Sequence, residues 1–87
     1  MSASTVASSE ALRLYRAIYR AAAQMPTRDR RNYVRRRLRF EYEEHRQETR
    51  PERIAFLLRL AETQLETVEV QAAHLTSTFS SPNYHRT

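Results

Sequence analysis

The chain has 87 residues with no Gly, three Pro and 40% hydrophobic content, which allows one small domain and favours helix over strand. All 15 basic residues are Arg against 10 acids, a formal net charge of +5, and there is no Lys. The absence of Cys excludes disulfides and thiolate metal sites, and no apolar run approaches the ~20 residues that cross a membrane.

Charge is distributed unevenly. Residues 1–60 hold 14 Arg against 7 acids, +7, and residues 61–87 hold one Arg against 3 Glu, −2. The first nine residues are poor in charge and rich in Ser, which is not a secretory pattern and only half of a mitochondrial presequence. Residues 1–7 are expected to be a disordered tail. A helix is predicted from a cap at Ser8 or Ser9 to about Gln24, with Glu10 in its first turn. Its core face is Ala11, Leu14, Tyr15, Ile18, Ala22 and Met25, and Arg13, Arg16, Arg20 and Gln24 form the opposite stripe.

Pro26 ends that helix by pushing Met25 out of helical geometry. Thr27 then caps a second helix, predicted to run to about Gln47. Seven Arg lie between residues 30 and 46. At helical spacing Val34, Leu38 and Tyr42 share an inward face, while Arg28, Arg35, Arg39 and Arg46 form a cationic ridge beside it; Arg37 projects from the other flank. A charge run is usually a solvated face, but mutual repulsion among so many guanidinium groups argues for an anionic partner. Arginine forks suit carboxylate and phosphate.

Thr49-Arg50-Pro51-Glu52 has capping-box spacing and opens the third helix. Ile54, Leu58, Ala61, Leu65, Val68, Ala72 and Leu75 alternate four and three apart. From Pro51 to Leu75 this helix is ~37 Å long at 1.5 Å per residue, longer than its neighbours. Short links make the neighbours antiparallel, so the fold expected is all-α, an antiparallel three-helix bundle with a long third helix, over residues 8–76. Residues 77–87 are read as a tail, which Phe79 and Tyr84 could anchor. The core is thin and rich in Ala, and a domain of this size has only ~3–5 kcal/mol to spare from its core. Val68, Ala72 and Leu75 lie beyond the reach of two shorter helices, and Glu62, Glu66 and Glu69 flank them. They are the expected client-binding surface.

Leu14-Tyr15-Arg16, followed by a break, an aromatic at Tyr33, an Arg-rich helix, a second aromatic at Tyr42 and a proline break, resembles the LYR-motif family over residues 10–75. Within that family the alignment runs nearest to the branch that serves the mitochondrial cysteine desulfurase, through Tyr33, Arg36-Arg37, Arg39, Pro51, Ile54, Ala61, Leu65 and Gln71. The chain departs from the pattern at Tyr42, where the family has Phe and where a hydroxyl needs a partner. It departs again at Glu43, which replaces a basic residue, and after Gln71. The resemblance implies a non-catalytic adaptor of the mitochondrial matrix. Such an adaptor binds the mitochondrial acyl carrier protein on a basic surface and receives its acyl chain between the helices. The cofactor, acyl-phosphopantetheine, belongs to the partner, and none is bound directly.

On that reading the carrier contacts are Arg16, Arg35, Arg37, Arg39 and Arg46. The acyl-chain lining is Leu14, Tyr15, Ile18, Val34, Leu38, Tyr42, Leu58, Ala61 and Leu65, every one of which also suits an ordinary bundle core. The client is a larger mitochondrial complex: the cysteine desulfurase, the mitoribosomal large subunit or a respiratory complex. Two other classes stay open. An arginine ridge also suits RNA, with Tyr33 and Phe40 as the aromatics available for stacking. A plain structural subunit is the third reading. His45, His74 and His85 have no metal spacing, and Glu41, Glu43 and Glu44 read as surface charge, so no enzyme signature is present.

Overall fold

The computed structural model describes residues 3–80. Three helices occupy them: α1 Ala3–Ala22, α2 Arg28–Glu44 and α3 Pro51–Ser80, with no strand among the described residues. The all-helical bundle with a long third helix is therefore the observed fold. Tyr84, His85 and Arg86, and the rest of the expected C-terminal tail after Ser80, lie outside the described residues.

The ends of the helices follow local chemistry. α1 begins at Ala3 rather than at Ser8, because the Ser, Ala and Thr residues before Ser8 include no helix breaker. At its other end the N–H groups of Ala23, Gln24 and Met25 donate to the carbonyls of Arg20, Ala21 and Ala22 at 3.0, 3.0 and 3.1 Å. That tighter turn carries the chain to Pro26 and buries Met25. Thr27 caps α2 as expected; its hydroxyl accepts from the Arg30 N–H at 3.2 Å. α2 stops at Glu44, three residues short of Gln47. Ahead of α3 the partner for free N–H groups is the Glu48 carboxylate, not a Thr49 capping box. It accepts from the N–H groups of Thr49 and Arg50 at 3.2 and 3.0 Å and from the Arg50 guanidinium. α3 then runs to Ser80, so residues 77–80 are helical.

Two reversals of direction leave α1 and α3 parallel, and the Thr76 hydroxyl donates to the Gln24 carbonyl at 3.2 Å where they end together. α1 lies between the other two and packs against both; no Cα of α2 comes within 8 Å of a Cα of α3. The core is Leu14, Ile18, Ala22 and Met25 from α1 and its link, Leu38 from α2, and Ala61, Val68 and Ala72 from α3. Leu38 is the single fully buried residue of α2. This corrects the expectation for the far end of α3. Val68 and Ala72 are 8% and 2% exposed, and Leu75 is half-buried. The C-terminal end of α1 and its link lie beside this part of α3, so Ile18, Ala21 and Met25 cover the stripe that was expected to be bare.

Candidate functional site

Because α2 and α3 both rest on α1 with their backbones held apart, a groove runs between them. It has two lobes. The larger, about 510 Å³, lies toward the α2–α3 link. Ile54, Leu57, Leu58, Leu60 and Ala61 of α3 form one wall, Tyr42 the other, and Ala7 and Ala11 of α1 the floor. His45, Arg46 and Glu48 stand at its rim. The smaller, about 210 Å³, lies toward the α1–α2 link, between Tyr33, Val34 and Leu38 of α2 and Thr63, Thr67, Val68 and Gln71 of α3, with Ile18 beneath. The hydroxyls of Thr63 and Thr67 are satisfied on their own helix, donating to the carbonyls of Arg59 and Thr63 at 3.2 and 2.9 Å.

Three residues border both lobes: Arg37, Glu41 and Gln64. Gln64 Nε2 donates to Glu41 Oε2 at 2.6 Å, and Arg37 Nε donates to Glu41 Oε1 at 3.0 Å. The Arg37 guanidinium is held in its charged form first by Glu41 and then by the Tyr33 hydroxyl. These contacts place a polar bar between the two lobes of the groove.

Of the residues expected to line an acyl chain, Ile18, Val34 and Leu38 border the smaller lobe, and Tyr42, Leu58 and Ala61 the larger. Leu14, Tyr15 and Leu65 border neither. Leu14 is buried at 1% exposure, and Leu65 packs half-buried against the core. Tyr15 is edge-on to Tyr42 at 4.9 Å between ring centroids and lies 6.3 Å from Tyr19. The Tyr42 hydroxyl finds the partner it needs, donating to the Ala11 carbonyl at 2.9 Å. Burial, and next the Tyr15 phenol, raise its pKa above the ordinary tyrosine value.

The expected cationic ridge is divided. Arg35 is half-buried and turned onto α1; its Nε and Nη2 donate to the Tyr19 carbonyl at 3.2 and 3.0 Å, and its guanidinium lies 3.9 Å from the Tyr19 ring centroid. Arg37 faces the groove, on the opposite flank as expected. Arg46 stands at the rim of the larger lobe, 3.5 Å from Glu43. Arg16 and Arg39 are exposed and take part in none of the ion pairs found among the described residues. Two groove residues escaped the sequence reading. Glu41 was read as surface charge, although Arg37 four residues earlier is a helical pairing distance. Gln64 was passed over, although a polar residue beside Ala61 and Leu65 interrupts an apolar stripe.

Among the described residues no group of His, Cys, Asp or Glu could hold a metal ion, and no helix is long and apolar enough to cross a membrane. The sequence profile described as "Complex 1 protein (LYR family)" matches residues 9–67, from the start of the Leu14-Tyr15-Arg16 helix through the middle of α3. The chain belongs to the LYR family. That family includes small mitochondrial adaptor and assembly proteins, which are generally non-catalytic and typically bind partner complexes. The match is to the family as a whole and not to one branch of it. No curated protein and no solved structure matches the chain.

Proposed function

We propose that this protein is a mitochondrial matrix adaptor that carries out no chemistry. It holds the acyl chain of acylated acyl carrier protein in the α2–α3 groove and brings that carrier to a larger complex. The observation that carries the reading is the separation of α2 from α3: a bundle stabilised only for itself would close this gap, whereas here an apolar cleft is kept open with Arg46 at its rim. An acyl chain has the apolar surface the walls require, and the phosphopantetheine phosphate has the charge that Arg46 requires. Arg16 and Arg39, exposed and in none of the ion pairs among the described residues, are placed to meet the carrier's acidic helix. The cofactor stays covalently on the carrier.

The client is the cysteine desulfurase, toward which the sequence alignment leans. With Val68 and Ala72 buried, the large exposed apolar side chains of α3 are Phe56, Leu60 and Val70, 45%, 42% and 67% exposed. The test is affinity purification of the tagged chain from mitochondria with intact-mass analysis of small acidic proteins in the eluate. A carrier with an acylated phosphopantetheine arm is expected; a stoichiometric eluate without one overturns the reading.

A second reading has a specific observation behind it. Tyr33 and Phe40 are 55% and 63% exposed on an arginine-rich helix, as stacking on RNA bases would require, so an assembly role on the mitoribosomal large subunit is the alternative. Ribosomal RNA crosslinked to Tyr33 or Phe40 in that eluate would favour it over the desulfurase.

A further inference from the structure

The two lobes of the groove share only Arg37, Glu41 and Gln64, and these side chains are hydrogen-bonded into a bar across it. We propose that this bar sets how far an alkyl chain penetrates: the larger lobe is the chain's seat, and the smaller lobe is a reserve that opens only when Gln64 lets go of Glu41. The inference rests on the reading of the groove given above and deepens it by naming what limits the chain.

The occupant is a linear alkyl chain with an anionic end. One side-chain hydrogen bond from Gln64 to Glu41 spans the cleft, so it is too narrow for a helix, which needs about 10–12 Å with its side chains. Its long walls are aliphatic and its rim carries a cation, which suits a chain lying lengthwise with its charged end at Arg46. Such a chain enters from the link between α2 and α3, passes Tyr42 and Ala61, and meets Glu41. Beyond that point each methylene gains apolar contact with Val34, Leu38 and Val68 only after a half-buried carboxylate has lost one of its two donors. Chains short enough to end in the larger lobe do not encounter this cost, so affinity should stop rising with length once the seat is full.

The experiment titrates the full chain with sodium decanoate and sodium laurate below their micelle concentrations, by calorimetry, in the wild type and in Gln64→Leu. Circular dichroism verifies the fold, and Gln64→Met serves as a second variant should the leucine perturb it. In the wild type the two dissociation constants should agree within about threefold; in the variants laurate should bind at least about tenfold more tightly than decanoate, with decanoate little changed. A tenfold laurate preference already present in the wild type overturns the bar, as does the same ratio in wild type and variants. Absence of binding by either chain in all of them overturns the reading of the groove itself, and the inference with it.

Discussion

Glu41 and Gln64, 23 residues apart in sequence, meet at 2.6 Å in the one hydrogen bond recorded between α2 and α3 among the described residues. A hydrogen bond to a charged group contributes ~1.5–3 kcal/mol, and each methylene removed from water ~0.8 kcal/mol. Two to four methylenes past the bar therefore offset its rupture, so the balance lies within the reach of ordinary fatty chains. For stability, Gln64→Ala should lower the unfolding free energy by ~1 kcal/mol, below the charged range because Glu41 keeps Arg37. A cycle with Glu41→Ala in chemical denaturation should give a coupling of at least ~0.5 kcal/mol. Additive effects would mean the bond does not persist in solution.

Leu38 is the single fully buried side chain of α2, so that helix depends on it. Leu38→Ala should cost ~2–5 kcal/mol, comparable with the ~3–5 kcal/mol that a domain of this size has in hand. The expected outcome is loss of the cooperative thermal transition, measured by circular dichroism. A variant that still melts cooperatively within a few degrees of the wild type would place the anchor of α2 elsewhere.

Tyr42→Phe removes the hydroxyl that donates to Ala11 and should cost ~1 kcal/mol near neutral pH. Its pH dependence has a definite sign. The folded pKa of Tyr42 lies above the ordinary value of 10.0, so the folded state holds the phenol proton more tightly than the unfolded one. The corresponding stability is complete below pH 10.0 and is lost as pH rises from there through the folded pKa. Urea titrations across that range should show the wild type losing its advantage over Tyr42→Phe.

Glu48 behaves in the opposite way. The Arg50 guanidinium and N–H, with the Thr49 N–H, hold its carboxyl at about 2, against 4.5 for a free glutamate. Its contribution at the start of α3 is present above pH 4.5 and is lost as pH falls through about 2. Amide exchange at Thr49, Arg50 and Ile54 should accelerate over that window, and Glu48→Gln should remove most of the dependence. Uniform exchange behaviour between wild type and variant would exclude Glu48 as the cap.

The arginines should separate by role. Arg35→Glu should lower the melting temperature, since the guanidinium holds the Tyr19 carbonyl. Arg16→Glu with Arg39→Glu should leave the melt nearly unchanged and abolish retention of the acidic carrier in a pull-down. Exposed charge pairs contribute only ~0.2–1 kcal/mol each, so the double change is the informative one. Normal retention by that double variant would move the carrier contact off this surface.

The helix order, the Thr27 cap and the alanine-rich core were legible in the sequence, because spacing and caps are local signals. The misplacements have longer-range causes. The extent of α1 could not be read where Ser, Ala and Thr offered several starting points in succession, and the expected overhang of α3 came from not knowing that the C-terminal ends of α1 and α3 meet. The placement of Arg35 depended on a main-chain carbonyl of another helix, which no helical wheel displays. The roles of Glu41 and Gln64 became visible only once α2 and α3 were seen to stand apart; residues so distant in sequence carry no mutual signal in a single chain.

Two of the fastenings of α2 end on main-chain oxygens of α1: Tyr42 on that of Ala11 and Arg35 on that of Tyr19. A backbone acceptor is supplied by whichever residue occupies the position. At position 11, therefore, side-chain replacement can alter the floor of the groove without releasing the helix that forms its wall. The fold thus leaves latitude for one lining position to vary, and with it the shape of chain accommodated, while the spacing of the helices stays the same. Binding preference could drift by small substitutions there at little cost to folding.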